Sequence, residues 1–358
     1  MERDALKDTS RVVVKFGTGI LTNRSKQIDP RQIEQLVGQV AAQREAGREV
    51  IVVSSGAVGA GMGVLNMAKR PTDLSDLQAC AAVGQSALMS TYTELFAKHN
   101  LQVAQVLLTH DDLEDKDRHL NARNTLVSLL AKGVVPIVNE NDAVSYTELK
   151  FGDNDWLASL VACLLPADLL IILTTVDGLV ENFGKKNPRT ISVVEKIDAN
   201  IQKLAGGTLS ATAVGGMDAK IRAARMTART GIPLVIASGK KKRAIANVVD
   251  GREEGTFFVP RAGKLKGRKR WIAFFHHPKG ALWVDDGARN ALRDKGKSLL
   301  PPGVSQCVGE FSKDDVVRIC DLQGTEFSRG ISRYNADEIR ARKLKSVEII
   351  HRDDLVIL

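Results

Sequence analysis

The stretch VVVKFGTG at residues 12–19 joins a short apolar run to a lysine and a glycine-containing turn. Similar runs, rich in β-branched residues, recur at 50–55, 103–109, 134–139, 169–175 and 233–237. Amphipathic segments separate them, and this alternation is typical of an α/β fold. Because strands so uniformly apolar are buried on both faces, we predict a doubly wound, mostly parallel central sheet flanked by helices. Ligands are then expected at the carboxyl ends of the strands.

Four longer amphipathic segments predict the helices that cover this sheet. The first begins after an Asp29 N-cap with Pro30 in its first turn and ends at Gly47. The others are expected over about residues 73–98, 121–132 and 217–230. The charged run at 110–119 is interpreted as a solvated loop or the start of a helix.

The character of the sequence changes at RAGKLKGRKR, residues 261–270, which holds six basic residues and no acidic one. We predict a large domain over 1–260, a basic linker over 261–270 and a small β-rich domain over 271–358. Residues 261–358 contain 20 Lys and Arg against 13 Asp and Glu, so they carry +7 of the net charge of +9. This asymmetry favours contact with nucleic acid or another polyanion, although solubility alone also explains a basic surface.

The composition, 44% hydrophobic and 26% charged, is that of an ordinary globular protein and argues against general disorder. No stretch approaches the roughly 20 apolar residues of a membrane helix, and the first residues lack the apolar core of a secretion signal. We therefore expect a soluble cytoplasmic protein. Neither a disulfide framework nor a zinc site is supported, and the cysteines are expected to be buried thiols: Cys80, Cys163, Cys307 and Cys320.

Two turns at the predicted sheet edge are candidates for anion binding. After Lys15, the small residues Gly17 and Gly19 would let backbone N–H groups approach a phosphate while the ammonium group neutralises its charge. The second strand ends in SSGAVGAG, residues 54–61. That run is either a turn or tight packing site, or a set of backbone and hydroxyl donors for an anion. Its expected place beside Lys15 favours the second interpretation.

Two acid-rich loops follow the fourth strand, NENDAV at 139–144 and GDND at 152–155. One residue of the second loop could cap the next helix, but capping does not explain Asp142, Asn154 and Asp155 together. Such a set suits the amino group of a zwitterion, magnesium held through water, or the orientation of lysines.

The segment VGGMDAK at 214–220 precedes a predicted helix. Its glycines could bring backbone donors to phosphates at the positive end of the helix, with Lys220 directed back into the site. The alternative is a glycine hinge before a surface helix with a solvated lysine.

Taken together, these segments resemble the glutamate 5-kinases, members of the amino acid kinase family that carry a C-terminal PUA domain. The resemblance extends from about Arg11 to the end of the chain. Besides the motifs above, it rests on RKRW, SLLPPGV and GISRYNADEI in the last 90 or so residues.

The resemblance implies ATP-dependent phosphorylation of the side-chain carboxylate of L-glutamate to γ-glutamyl phosphate, the first step of proline biosynthesis. Magnesium would arrive as MgATP, without a metal site of the protein's own. By position, Lys15, Lys220 and Asp155 correspond to the catalytic residues. Ser55, Asp142 and Asn154 match the glutamate-binding residues. The ATP-binding positions correspond to Lys15, Gly17, Thr174, Thr175, Val214, Gly215, Gly216, Met217, Asp218, Ala219 and Lys220.

The resemblance further implies proline as a feedback inhibitor, a homodimer or homotetramer, and a glutamyl phosphate reductase as the consumer of the product. For the PUA domain, a structural or regulatory role is favoured over RNA binding. Two alternatives stay open: another acid kinase of the same family, or an RNA-binding PUA protein whose kinase domain has degenerated.

Several positions depart from the family pattern. Gly19 stands where serine is frequent, Thr175 replaces an acid, and Val180 replaces an aromatic residue. Val214 stands where the family has a hydroxyl donor. All of these departures fall on the expected nucleotide side, whereas the expected acceptor residues match.

Overall fold

The computed structural model describes residues 1–23, 27–145, 154–184, 187–206, 216–261, 267–275, 278–344 and 348–358. The chain divides into two compact units, Met1–Lys264 and Leu265–Leu358. The division falls inside the segment 261–270, and Gly267–Arg270 forms a short helix in the second unit.

The first unit is the α/β structure that the sequence predicts. Its strands are β1 (Arg11–Phe16), β2 (Glu49–Ser54), β3 (Val103–Leu108), β4 (Val135–Glu140), β5 (Leu169–Thr174), β6 (Val180–Glu181), β7 (Arg189–Thr190), β8 (Val193–Val194), β9 (Leu234–Ser238) and β10 (Thr256–Phe258). Its helices are α1 (Thr18–Leu21), α2 (Pro30–Glu45), α3 (Ala57–Val64), α4 (Leu74–Ala97), α5 (His110–Glu114), α6 (Lys116–Ala131), α7 (Asn154–Leu164), α8 (Ala199–Gly206), α9 (Met217–Thr230) and α10 (Ala244–Val249).

Eight of the described strands form one sheet in the order β3-β4-β2-β1-β5-β9-β10-β8. Neighbouring strands run parallel except for the antiparallel pair β9 and β10. In β1, Val14 pairs with Val52 of β2 on one side and Ile171 of β5 on the other. The mostly parallel sheet is therefore confirmed, and the carboxyl end of β1 lies between those of β2 and β5.

Alternation along β1 decides which face its lysine occupies. Val12, Val14 and Phe16 belong to the main apolar core, together with residues of α2 and α4. Because successive strand residues point to opposite faces, Lys15 lies on the other side of the sheet. Burying a lysine at this depth requires a charged or polar partner.

The helix boundaries follow local capping chemistry. The Asp29 side chain accepts a hydrogen bond from the Gln32 N–H at the start of α2, as predicted. Helix α6 begins at Lys116, earlier than predicted, because the Asp115 side chain accepts from two N–H groups of its first turn. The charged run at 110–119 therefore forms α5 and the first turn of α6.

The small-residue run at 54–61 includes a contact between two helix backbones. A Cβ on Gly61 would lie 1.8 Å from the carbonyl oxygen of Cys80, and one on Gly84 would lie 1.8 Å from that of Ala57. Helices α3 and α4 thus touch at their backbones. Gly61 belongs to the tight packing site, the first of the two interpretations of this run.

The second unit is the small β-rich domain that the sequence predicts. Its strands are β11 (Gly280–Val284), β12 (Val304–Gly309), β13 (Val316–Cys320), β14 (Glu326–Ile331) and β15 (Leu355–Ile357), in the sheet order β12-β11-β13-β14-β15. Its helices are α11 (Gly267–Arg270), α12 (Asp286–Arg293) and α13 (Ala336–Arg340). Leu282, Val317 and Ile319 lie at the centre of its own apolar core.

The four cysteines are free thiols, and Cys80, Cys163 and Cys320 are buried as expected. Cys307 is only partly buried, because it lies on β12 at the edge of the second sheet, so the prediction is wrong for this residue. Within the described ranges, no helix combines the length and the apolar character that crossing a membrane requires.

We expect Gly61→Ala to lower the free energy of unfolding by about 2–3 kcal/mol, because the new methyl group must push two helix backbones apart. Gly63→Ala in the same helix is the matched control, since a Cβ there comes no closer than 3.7 Å to Gln27. Because alanine has a better helix propensity than glycine, Gly63→Ala should raise the free energy of unfolding by up to about 1 kcal/mol. Urea unfolding measures both variants, and equal stabilities would contradict the backbone contact.

Candidate functional site

One carboxylate joins the two lysines that the sequence singles out. The Lys15 Nζ lies 2.8 Å from Asp155 Oδ1, and the Lys220 Nζ lies 2.8 Å from Asp155 Oδ2. The Asp155 side chain has no exposed surface, and each lysine side chain is only 7% exposed. Two ammonium groups and one carboxylate together carry one net positive charge in a place that water barely reaches.

Helix packing explains how residues so far apart in sequence meet. Asp155 lies in the first turn of α7, and Lys220 lies in the first turn of α9. Ser159 contacts Met226 and, one turn further along both helices, Cys163 contacts Thr230. The two helices therefore run side by side in the same direction, which places both N-termini at one end.

The electrostatics of the Asp155 carboxyl follow from its surroundings. Burial by itself raises its pKa, but the attraction of the Lys15 and Lys220 ammonium groups and their hydrogen bonds outweigh burial and hold the pKa below its ordinary value. The carboxyl is therefore ionised at neutral pH. It holds both lysines in place and is not available as a base.

The residue before it, Asn154, belongs to a second set of polar contacts. The Asn154 Nδ2 lies 2.8 Å from the Ser54 carbonyl oxygen, 3.0 Å from Ser55 Oγ and 2.8 Å from Asn139 Oδ1. Ser55 is buried, and Asn154 is partly exposed. The structure thus brings Ser55 and Asn154 together, directly beside the cluster of Asp155 and the two lysines.

Asn139 and Gln85 were not singled out as site residues from the sequence. Asn139 is buried in β4, and its Nδ2 donates to Gln85 Oε1 on α4 at 2.8 Å. Asn139 is the first residue of the NENDAV motif, but within that motif only Asp142 was assigned a role. Gln85 carried no signal, because one glutamine on a partly exposed helix is unremarkable without its partner.

Asp142 lies in the turn after β4, partly exposed, just beyond Asn139. Val144 and Ser145 donate their N–H groups to the Asn141 carbonyl oxygen and close that turn. Asp142 therefore lies at the same sheet edge as Asn139. Residues 152 and 153 of the GDND motif lie outside the described residues, as do Val214 and Gly215.

The expected nucleotide positions surround the end of β5. The Gly17 N–H donates to the Leu173 carbonyl oxygen at 3.1 Å, so this N–H does not bind a phosphate. Because Gly17 has no side chain, the space beside the Lys15 ammonium group stays open. Thr174 is partly exposed and Thr175 is exposed. A Cβ on Gly19 would lie 2.8 Å from Thr175 Cγ2, so two of the positions that depart from the family pattern contact each other.

The start of α9 supplies the other expected nucleotide positions that the structure describes. Gly216 is the N-cap residue, with no side chain to cover the helix end. Met217 and Ala219 are buried, whereas Asp218 is exposed. Among the described residues of this segment, Lys220 is the one that pairs with Asp155 of the buried cluster.

The second unit contains a cavity of about 760 Å³ between α12 and the segment that leads into β12. Leu299, Leu300 and Pro302 contribute apolar surface to it, and Lys297 and Arg352 contribute positive charge. Across the described parts of both units, no three His, Cys, Asp or Glu side chains are grouped as ligands for a metal ion.

Comparison with known proteins agrees with this architecture. Residues 10–238 match the profile of the amino acid kinase family, and residues 280–352 match that of the PUA domain. This chain belongs to the amino acid kinase family. Its α/β unit and its separate β-rich unit correspond to the two matched regions.

Full-length relatives named glutamate 5-kinase come from Pelobacter propionicus, Methylococcus capsulatus and Moorella thermoacetica. They are 42%, 44% and 44% identical to this chain, and the alignments cover 100%, 99% and 99% of it. The same alignments cover 100%, 99% and 98% of the relatives. A solved carbamate kinase from Giardia lamblia, bound to AMP-PNP, shares the fold with a TM-score of 0.52 at 19% identity, over 71% of this chain and 100% of that one.

We expect Asp155→Asn to lower the free energy of unfolding at pH 7 by about 3–5 kcal/mol, because it leaves two buried ammonium groups without their carboxylate. Because the native pKa of Asp155 is lower than that of an aspartate in the unfolded chain, about 3.9, its ionised carboxylate stabilises the fold at pH values above about 3.9. That stabilisation disappears as the pH falls through the native pKa. The difference between wild type and variant should therefore be constant above about pH 5 and shrink below about pH 4.

Urea unfolding from pH 3 to 8 measures this difference. Asp8→Asn, at an exposed carboxyl, is the control and should change stability by less than about 0.5 kcal/mol. A difference for Asp155→Asn that stays the same down to pH 3 would contradict the assignment.

We expect Gly19→Ser to weaken MgATP binding about fivefold, because its Cβ would overlap the Thr175 methyl group and displace the end of β5, at a cost of about 1 kcal/mol. Thr175→Ser removes only that methyl group. In the double variant Gly19→Ser/Thr175→Ser, the affinity should return to within about twofold of wild type. Titration calorimetry measures all four proteins, and additive effects would show that the two positions are independent.

Proposed function

We propose that this protein transfers the γ-phosphoryl group of ATP to the side-chain carboxylate of L-glutamate and releases γ-glutamyl phosphate and ADP. The observation that carries the proposal is the buried cluster of Lys15, Asp155 and Lys220 at the carboxyl end of β1. Full-length relatives named glutamate 5-kinase support the same substrate pair. Formation of γ-glutamyl phosphate is the first step of proline biosynthesis.

The chemistry of this transfer needs charge neutralisation and no base. A glutamate side chain has a pKa near 4.3, so its carboxylate is already a nucleophile at neutral pH. One carboxylate oxygen attacks the γ-phosphorus of ATP. The bond from that phosphorus to the β,γ-bridging oxygen breaks, and its electron pair leaves with ADP. The barrier lies in bringing two anions together while negative charge moves towards the β-phosphate.

The lysine cluster suits that task. Lys15 and Lys220 can shield both anions, and Asp155 holds the two ammonium groups at fixed positions. Because all three groups are buried, their field is weakly screened by water, and little reorganisation is needed during the reaction. Asp155 acts as the residue that orients the lysines.

The acceptor site is proposed at Ser55, Asp142 and Asn154. Asn154 directly precedes Asp155, so the first turn of α7 connects the acceptor groups to the phosphoryl-transfer groups. The nucleotide is proposed to bind along Gly17, Thr174, Thr175 and the segment 214–220. Magnesium belongs to the MgATP substrate, where it offsets phosphate charge.

The remaining proposals concern regulation and assembly. We propose a catalytic domain over 1–260, a linker over 261–270 and a PUA domain over 271–358 that acts as a structural or regulatory module. Feedback inhibition by proline, a homodimer or homotetramer, transfer of the product to a glutamyl phosphate reductase and a cytoplasmic location belong to the same proposal.

The competing function is RNA binding by a protein whose kinase domain has degenerated, which the basic second unit favours. Purified protein with MgATP and hydroxylamine separates the two, because an acyl phosphate is trapped as a hydroxamate. Product with glutamate, and none with aspartate or N-acetylglutamate, supports the proposal. No product with any acid, together with saturable RNA binding at physiological salt, supports the alternative.

We expect Lys220→Ala to lower kcat about 100- to 1000-fold, the loss typical of one preorganised charge donor in a phosphoryl or acyl transfer site. Glutamate binding should persist within about threefold, since the side chain of Asn154 is held by Ser54, Ser55 and Asn139, and that of Lys220 by Asp155. Lys132→Ala, at an exposed lysine after α6, is the control and should keep wild-type kcat. Unchanged turnover in Lys220→Ala would remove this lysine from the mechanism.

A further inference from the structure

Backbone groups set the direction of a buried amide beside the acceptor site. The Asn139 Oδ1 lies 2.9 Å from the backbone nitrogen of Glu140, which can only donate. The oxygen of this side chain therefore faces Glu140, and its Nδ2 faces the Gln85 Oε1 at 2.8 Å. The Gln85 Nε2 in turn donates to Gln105 Oε1 on β3 at 3.1 Å. Asn139 and Gln85 each accept on one side and donate on the other.

The direction of Asn154 is set in the same way. Its Nδ2 lies 2.8 Å from the Ser54 carbonyl oxygen, which can only accept, and 2.8 Å from Asn139 Oδ1. The Ser55 Oγ lies at 3.0 Å as a third acceptor. An amide nitrogen carries two hydrogens, so these three acceptors leave it no hydrogen for a ligand.

The polarity that a ligand meets follows from this arrangement. The side chain of Asn154 can therefore offer a ligand only its Oδ1, an acceptor. When Ser55 Oγ accepts from Asn154, its own O–H is left to donate. An acceptor next to a donor suits a molecule that presents an ammonium group next to a carboxylate, as the α-carbon of an amino acid does.

We propose that Asn139, supported by Gln85, is a positioning residue that holds Asn154 as an acceptor for the α-ammonium group of the substrate. The pair thereby selects the amino acid over the dicarboxylic acid that has the same length and no amine. This inference rests on the proposed function and adds to it the part of the substrate that Asn154 recognises.

Removing the Gln85 acceptor should weaken the selection of the amino acid over the dicarboxylic acid that lacks the amine. Without an acceptor at position 85, the buried Asn139 Nδ2 loses its partner, and turning the side chain to find another would take Oδ1 away from Asn154. Asn154 would then keep the Ser54 carbonyl oxygen but lose the Asn139 acceptor, so its amide would be held less firmly in the direction that presents Oδ1 to a ligand. Presenting N–H instead of a carbonyl oxygen to an ammonium group replaces attraction by repulsion.

The test compares Gln85→Leu, which cannot accept, with Gln85→Glu, which still can. The kcat/KM for glutamate and for glutarate is measured at saturating MgATP. We expect the preference for glutamate to fall about tenfold in Gln85→Leu, mainly through KM for glutamate, as for one lost hydrogen bond to a charged group. Gln85→Glu should keep the preference within about twofold of wild type. The KM for MgATP should stay unchanged in both.

Asn139→Leu removes the acceptor itself and should lower the preference at least as far. Because Asn139 is buried, the melting temperature of each variant is recorded to check that it folds. If Asn139→Leu does not fold, the result for Gln85→Leu, at a partly exposed position, tests the proposal. A glutamate preference in Gln85→Leu within about twofold of wild type overturns the proposal. An equal decrease of kcat/KM for glutamate and for glutarate also overturns it, because that is the result expected if Gln85 has only a structural role.

Equilibrium binding separates this inference from the proposed function. If wild type forms no hydroxamate with glutamate, the proposed function fails. Titration calorimetry with glutamate and glutarate then still reports the selection for the amine in each variant. The positioning role is supported if wild type binds glutamate more tightly than glutarate, if Gln85→Leu loses this difference in affinity, and if Gln85→Glu keeps it. Binding of neither acid to wild type, or of both with equal affinity, overturns it.

Discussion

A buried carboxylate between two ammonium groups is the constraint on which the rest of the site depends. Charges removed from water cost several kcal/mol each unless they are paired closely, so the Lys15, Asp155 and Lys220 groups are stable only as a set. The set exists because β1, α7 and α9 each deliver one member to the same place. The fold thus concentrates positive charge where water does not screen it, which is the condition for bringing two anions into reaction.

The start of α7 links two kinds of recognition. Asp155 faces the lysines, and its neighbour Asn154 faces Ser54, Ser55 and Asn139. Adjacent residues in one helical turn thereby connect the groups proposed to neutralise phosphate to the groups proposed to recognise the acceptor. Because both are held by the same few backbone atoms, a shift of α7 changes both at once. In the role proposed for them, Asn139 of β4 and Gln85 of α4 belong to the site as residues that hold Asn154 in position.

Small residues near the site serve distinct purposes that the motif alone does not separate. Gly61 allows two helix backbones to touch, and Gly19 leaves room for the Thr175 methyl group. Gly17 gives its N–H to the Leu173 carbonyl oxygen and leaves space beside the Lys15 ammonium group. In the sequence all three belong to glycine-containing turns at strand ends. Their neighbours in space, which come from other segments, give each a separate role.

The sequence by itself determined six strands of the main sheet, the long helices that cover it, the α2 cap at Asp29 and the presence of a small β-rich unit in the last part of the chain. These features depend on hydrophobic periodicity and on residues within a few positions of each other, and both are visible in the amino-acid sequence. It also indicated Lys15, Asp155 and Lys220 through motifs. Only the tertiary structure decided that these three meet, that Asn139 and Gln85 support Asn154, and which way the amides point. Such relations depend on distances between residues far apart in the chain, and a hydrogen bond exists only when those distances close to about 3 Å.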